Sequence, residues 1–155
     1  MNKFMCRRYL LFCVSLFVNA LGIAFITKAA LGTSPITSVT YVLSMFTPFT
    51  IGQWTILLNL LFVILELFLM TREDLKSDLR MYLLQIPISF SFGMFIDLCM
   101  HYILFWLNPV EYVYMIVALL IGCVILAVGI ALEVKANAAM MAGEYFVKVI
   151  TRRFR

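Results

Sequence analysis

Charged residues are scarce in this chain. They make up 13% of its 155 residues, whereas about a quarter of an average soluble domain is charged. Hydrophobic residues reach 65%. A soluble domain of this size cannot bury so much apolar surface, because small domains leave much of their surface in water. The composition therefore excludes an ordinary soluble domain and predicts that the chain lies in lipid.

Histidine and paired cysteine motifs are also lacking. The single histidine, His101, excludes a histidine-rich zinc site. The four cysteines show no CxxC spacing, and three of them lie inside apolar runs, where cysteine acts as a small hydrophobic residue. No Gly-x-Ser-x-Gly nucleophile motif is present. We therefore expect no cofactor and no enzymatic activity.

Long uncharged runs, ended by charges or turn residues, mark the predicted helices. A run of about 20 residues crosses a hydrocarbon core of about 30 Å as a helix. We predict an all-α membrane protein, a polytopic helical bundle in one integral membrane domain (residues 1–155). Its full spans are predicted at residues 9–30, 53–70, 81–107 and 112–134. The first run is longer than the apolar part of a typical signal peptide, which favours an uncleaved span.

Two further apolar segments, residues 36–46 and 138–150, are too short to cross as ordinary helices. The sequence leaves open whether they are re-entrant, interfacial or shortened crossing helices. Lys and Arg concentrate at the N-terminus, at residues 72–80 and in the C-terminal tail, and are absent from residues 31–51 and 108–111. This positive-inside pattern favours two segments that do not cross, with both termini in the cytoplasm. It contains no basic stripe with stacking aromatics, so we expect no nucleic-acid partner.

Residues 20–29 and 127–136 form a weak internal repeat at a constant offset of 107 residues, from Ala20 to Ala127. Six of the ten positions are identical, and Lys28 and Lys135 are one matched pair. Each copy ends a predicted span and precedes a short segment, and under the predicted topology the copies are inverted. Inverted repeats beside broken or short helices are typical of secondary transporters. No counterpart of the 53–70 span follows the second copy, which is consistent with a shortened protein, a truncated reading frame, or a protein completed by a second copy in a homodimer.

Several motifs of small residues in apolar context resemble those of a known family. They are Gly22–Ala24 (GIA), Lys28–Pro35 (KAALGTSP), Ile51–Trp54 (IGQW), Gly93–Asp97 (GMFID) and Gly129–Ala131 (GIA). Over residues 9 to 150 the chain is similar to the YczE/YyaS/YitT family of bacterial membrane proteins. The resemblance implies a multi-pass protein of the bacterial cell membrane, and implies no defined activity, cofactor or substrate. The chain departs from the family in lacking the final span and in having no Gly/Pro break at residues 136–140.

Lys28 and Lys135 are the first candidate substrate-binding residues. Each lies beside a helix end, one near each membrane face, and these cations would bind an anionic solute. The alternative is that each side chain extends from a span end to the lipid headgroups. Gly32 and Ser34 are candidates because Gly32–Pro35 breaks the helix: Ser34 or Thr33 caps a new helix that begins near Pro35. The break either lines a wet cavity or forms an external turn.

Asp97 and His101 complete the candidate set. They are four residues apart on one predicted helix face, and a carboxylate inside a membrane is costly unless it is paired or hydrated. An imidazole beside it would accept a hydrogen bond, pair as a cation or relay a proton. The alternative is that both lie toward the interface and serve packing. Glu66 and Glu133, near the predicted cytoplasmic ends, are predicted to form interfacial ion pairs.

Two functions remain open from the sequence. One is a small-solute transporter or permease, with an anion as one candidate solute. The other is a non-transporting membrane scaffold or regulator that binds partner proteins or lipids through the charged loop at residues 72–80.

Overall fold

The computed structural model of the chain describes residues 3–70, 72–136 and 141–153. Its elements are helices α1 (Lys3–Lys28), α2 (Pro35–Phe46), α3 (Ile51–Leu69), α4 (Arg72–Leu98), α5 (Tyr112–Ala136) and α6 (Ala142–Arg153), with a π-helical segment at Cys99–Ile103 after α4. No strand occurs in the described ranges. The predicted all-α class is confirmed.

Four segments are long and apolar enough to cross a membrane, namely Arg7–Lys28, Ile51–Leu69, Tyr82–Ile103 and Tyr112–Ala136. Helices α2 and α6 have 12 residues each, or about 18 Å, which is shorter than the hydrocarbon core. The described part of the chain is therefore an all-α membrane bundle with four long and two short helices. The membrane face that each end occupies stays a prediction. Residues 138–140, which begin the second predicted short segment, lie outside the described residues.

The break between α1 and α2 follows from its turn residues. Gly32 adopts a φ of 137°, a conformation that residues with a Cβ rarely take. Ser34 then caps α2: its Oγ accepts a hydrogen bond from the backbone N–H of Thr37 at 3.3 Å, with Pro35 in the first turn. The predicted cap and helix start are confirmed.

Helices α1 and α5 pack closely because glycines line their contact. A Cβ at Gly22 would lie 2.8 Å from the backbone N of Leu126, and one at Gly129 would lie 2.9 Å from the backbone N of Asn19. Asn19 of α1 thus lies opposite Gly129 of α5. Gly22, three residues later in α1, lies opposite Leu126, three residues earlier in α5. The helices are antiparallel. Under the repeat offset Gly22 matches Gly129 and Asn19 matches Leu126, so an approximate two-fold axis exchanges the two contacts. The predicted inverted repeat is confirmed.

The repeat extends beyond the ten matched residues. Under the same offset Pro35 corresponds to Ala142 and Phe46 to Arg153, which are the first and last residues of α2 and α6. The repeating unit is therefore one long helix followed by one short helix. Both short helices pack against α3.

Helices α3 and α4 form an antiparallel pair that completes the bundle. A Cβ at Gly52 would collide with the backbone oxygen of Gly93, and one at Gly93 would collide with the Ile56 side chain. Helix α4 also packs against α1, where the Phe17 and Phe95 rings meet edge to face at 5.7 Å. Helices α3 and α4 thus pack against one side of the two repeat units.

Candidate functional site: a polar cavity between the two repeats

A cavity of about 410 Å³ lies where the two repeat units meet. All six helices contribute to its wall, and eight of its seventeen described lining residues are polar. The polar residues are Asn19, Ser34, Thr37, Thr40, Thr55, Asn59, Glu133 and Glu144; the others are Ile23, Ile36, Phe92, Ile96, Leu126, Ile130, Met141, Gly143 and Val147.

The lining follows the two-fold symmetry of the repeat. Six of the lining residues belong to the first repeat unit, and the offset of 107 residues carries every one of them onto a lining residue of the second unit. The matched pairs are Asn19 with Leu126, Ile23 with Ile130, Ser34 with Met141, Ile36 with Gly143, Thr37 with Glu144, and Thr40 with Val147. The cavity therefore lies on the approximate two-fold axis. Its chemistry is asymmetric, because Asn19, Ser34 and Thr40 of the first unit correspond to apolar residues in the second.

Asn19 and Glu133 form a buried polar pair at this position. The Nδ2 of Asn19 donates a hydrogen bond to Oε2 of Glu133 at 2.8 Å, and the two side chains are 2% and 5% exposed. The remaining oxygens, Oδ1 of Asn19 and Oε1 of Glu133, have no hydrogen-bond partner among the described residues. Buried acceptors without partners are costly. Both oxygens are shielded from the cavity in this conformation, and Oδ1 of Asn19 lies against Gly129 in the contact between α1 and α5.

Hydroxyl groups add further acceptors to the wall. Thr40 and Thr55 donate their own protons to backbone oxygens within their helices, at 2.9 and 2.8 Å. Their oxygens thus keep lone pairs for a solute. The side chain of Asn59 forms no hydrogen bond within the described part of the chain, so its amide group can both donate to a solute and accept from one.

Glu144 contributes a second carboxyl group from the first turn of α6. Partial burial raises the pKa of this carboxyl above its ordinary value, so it takes up a proton at a higher pH than a solvated glutamate. No Lys, Arg or His occurs among the described lining residues. Within the described ranges, no three His, Cys, Asp or Glu residues are grouped to hold a metal ion.

Of the candidates predicted from sequence, Ser34 lines the cavity. Gly32 is exposed, and a Cβ there would meet open space. Lys28 and Lys135 are the last-turn basic residues of α1 and α5. Because these helices are antiparallel, the two lysines lie at opposite ends of the bundle, as the inverted repeat predicts. Neither lines the cavity.

Asp97 and His101 occupy different environments. Oδ2 of Asp97 accepts a hydrogen bond from the Thr50 hydroxyl at 2.6 Å, and Oδ1 accepts one from the Gly52 N–H at 2.9 Å. Asp97 thus holds the first turn of α3, where the helix dipole favours a negative charge. His101 is exposed in the π-helical segment. The two residues share neither a hydrogen bond nor the cavity.

The predicted interfacial ion pairs of Glu66 and Glu133 are wrong. Both side chains are buried, at 0% and 5% exposure, and neither pairs with a cation in the described ranges. Sequence reasoning also missed Asn19 and Asn59. The sequence contained a signal for both residues, because a carboxamide inside an apolar span is costly to bury without a hydrogen-bond partner. Each was therefore a candidate for a buried hydrogen bond or for solute binding.

A family model described as a family of unknown function (DUF6198) matches residues 6–155. The chain belongs to this family. No curated protein and no solved structure matches it. The resemblance to the YczE/YyaS/YitT proteins stays a prediction, and membership of the family assigns no activity to the cavity.

Proposed function

We propose that the protein transports a small solute across the membrane and binds it in the cavity between the repeats. The observation that carries this proposal is the symmetry of the lining, in which all six first-unit residues have counterparts in the wall. Secondary transporters place their substrate sites at the interface of inverted repeats, because rocking of one unit against the other then exposes the site to each side in turn.

The chemistry of the wall favours a small amine over the anion that the two lysines suggested. Glu133 and Glu144 bring carboxyl groups to the wall, and no Lys, Arg or His stands among the described lining residues. An ammonium group supplies donors and a compensating positive charge. The volume of about 410 Å³ is near the lower end of ligand cavities, which favours a solute of metabolite size.

Ligand-induced stabilisation tests the proposal. The purified, detergent-solubilised protein would be heated in the presence of small primary amines, quaternary amines, carboxylic acids and neutral polyols. A ligand that binds only the folded state raises the apparent unfolding midpoint by mass action. We expect a primary amine to raise the midpoint of the wild type, and Glu133→Gln to lose this response. Uptake of the same amine into proteoliposomes then tests transport itself.

Glu111→Gln provides the matched control. It makes the same chemical change at an exposed residue that does not line the cavity, so the response to the amine should persist. Stabilisation by a carboxylic acid that is lost in Lys28→Gln would contradict the proposal of an amine solute and would favour the anionic solute predicted from sequence. Binding of an amine without uptake would contradict transport.

The scaffold and homodimer hypotheses stay predictions. Most side chains of residues 72–80, on which the docking surface was predicted, lie outside the part of the chain whose side chains the structure describes. The cavity gives the transport function a specific site, and the scaffold has no comparable feature among the described residues.

A further inference from the structure

A second polar pair is buried between α3 and α4, away from the cavity. Glu66 is 0% exposed and Gln85 is 1% exposed, and their side chains lie next to each other. Four terminal atoms have no hydrogen-bond partner within the described part of the chain. They are the two carboxyl oxygens of Glu66 and the amide oxygen and nitrogen of Gln85. Neither side chain belongs to the cavity wall.

The protonation state of Glu66 decides whether this pair is complementary. An ionised carboxylate offers acceptors only, so the Gln85 oxygen would face a second acceptor, and an unpaired charge in the membrane interior is expensive. A carboxylic acid has one donor and one acceptor. It matches the amide oxygen and nitrogen of Gln85 with two hydrogen bonds and no net charge. One bound proton therefore satisfies all four terminal atoms.

Among the residues whose side chains the structure describes, no charged partner offers an alternative. On the described part of α4, the titratable group near Glu66 is the Tyr82 hydroxyl, which donates to the backbone oxygen of Val63 at 3.1 Å. Helix α6 also packs on α3, and its described titratable groups are engaged elsewhere: Glu144 lines the cavity, and Lys148 lies 5.6 Å from the centre of the Tyr145 ring. A sodium ion would need about five or six oxygen ligands, more than this pair supplies.

The pair is also aligned with the cavity. Glu66 follows Asn59 by seven residues on α3, and Gln85 precedes Phe92 by seven residues on α4. Asn59 and Phe92 both line the cavity. Seven residues are two helical turns, or about 10 Å, so the pair forms a layer two turns from the cavity toward the carboxyl end of α3.

We propose that Glu66 and Gln85 form a proton-binding site, in which Glu66 carries the proton and Gln85 holds the neutral acid by paired hydrogen bonds. Binding adds one proton from water to the Glu66 carboxylate, and release returns it to water. Use of this proton to drive solute movement rests on the proposed transport function. Occupancy of the site by a proton does not, and it is measured without any solute.

Infrared spectroscopy of the purified protein tests the site directly. A protonated carboxyl group has a C=O stretching band apart from the amide bands, and the band shifts in D₂O. We expect the wild type at neutral pH to show a band that Glu66→Gln lacks and that fades as the pH is raised. In Gln85→Leu the band should remain but move to higher frequency, because the acid loses its hydrogen bonds. Glu133→Gln, which removes a different buried acid, should leave this band in place.

Three results would overturn the proposal. The first is an identical spectrum for wild type and Glu66→Gln at neutral and acidic pH, which would show that Glu66 is ionised. The second is a Glu66 band that disappears when potassium is replaced by sodium, which would make this a sodium site. The third is an unchanged band frequency in Gln85→Leu, which would remove Gln85 from the site. Should Glu66→Gln fold poorly, Glu66→Asp keeps an acid at this position, and an unchanged band frequency and pH dependence in Glu66→Asp would assign the band to another acid and overturn the proposal.

Discussion

Asp97 allows the sharpest test of how this structure assigns residues to roles. As an intramembrane carboxylate it is a natural candidate for substrate binding, yet it accepts hydrogen bonds from Thr50 and Gly52 at the start of α3. The capping box of α3 satisfies the Gln53 N–H through the Thr50 hydroxyl. Asp97 supplies the acceptor for the Gly52 N–H, which this box leaves open. We therefore predict that Asp97→Ala destabilises the fold and leaves the cavity intact.

The expected magnitude follows from the two hydrogen bonds. A hydrogen bond to a charged group contributes roughly 1.5–3 kcal/mol, and an orphaned buried donor costs about 1–3 kcal/mol. Hydrogen bonds between membrane helices average lower, about 0.6 kcal/mol. We expect Asp97→Ala to lower the free energy of unfolding by about 2–4 kcal/mol. Asp97→Asn keeps an acceptor for the Gly52 N–H and should cost only about 1 kcal/mol.

Reversible unfolding of the purified protein in mixed micelles of mild detergent and SDS measures these differences, with amine binding per folded molecule as the second readout. Binding should be unchanged in both variants because Asp97 does not line the cavity. A loss smaller than about 0.5 kcal/mol for Asp97→Ala, the range of neutral surface substitutions, would refute the capping argument. Full stability with abolished binding would place Asp97 in the solute site instead.

Three further predictions concern the packing and turns. Gly129→Ala places a methyl group against Asn19, so we expect a loss of about 1–3 kcal/mol in unfolding free energy. Amine binding should also weaken. Unchanged binding would show that Asn19 does not hold the solute. Gly32→Ala meets no neighbour but must adopt a φ of 137°, so it should cost about 1–3 kcal/mol without weakening binding per folded molecule, and a neutral effect would contradict the strained turn. Trp54→Phe removes the indole hydrogen bond to Thr47 Oγ1 at 2.7 Å and should cost about 1 kcal/mol by the same unfolding assay, whereas a variant as stable as the wild type would show that this bond contributes nothing.

Much of the architecture could be predicted because hydrophobic length is a local property of the chain. The long apolar runs predicted the long helices, and Gly32 with Ser34 and Pro35 predicted the break and the start of α2. Gly22 and Gly129 made the repeat recognisable, and these same glycines form the antiparallel contact. Glycine patterns are informative in membranes because helices without a hydrophobic driving force associate by close backbone approach.

The candidate site was predictable only in part. Lys28 and Lys135 drew attention as matched charges, one near each membrane face, and the antiparallel packing of α1 and α5 does place them at opposite ends of the bundle, but neither lines the cavity. Asn19 and Glu133 are 114 residues apart and meet in one hydrogen bond. Their separation shows why local sequence reasoning did not pair them: the meeting depends on how two distant helices cross.

The sequence by itself determined that this protein lies in lipid, that it is all-α, where its turns fall, and that it contains an inverted repeat. Each of these depends on composition or on residues near one another in the chain. Only the tertiary structure decided which buried polar groups face each other. It placed Asn19 beside Glu133 in the cavity wall, Glu66 beside Gln85, and Asp97 at the start of α3. The physical reason is that the cost of burying a polar group is fixed by its residue type, while the partner that offsets this cost is fixed by helix crossing and register.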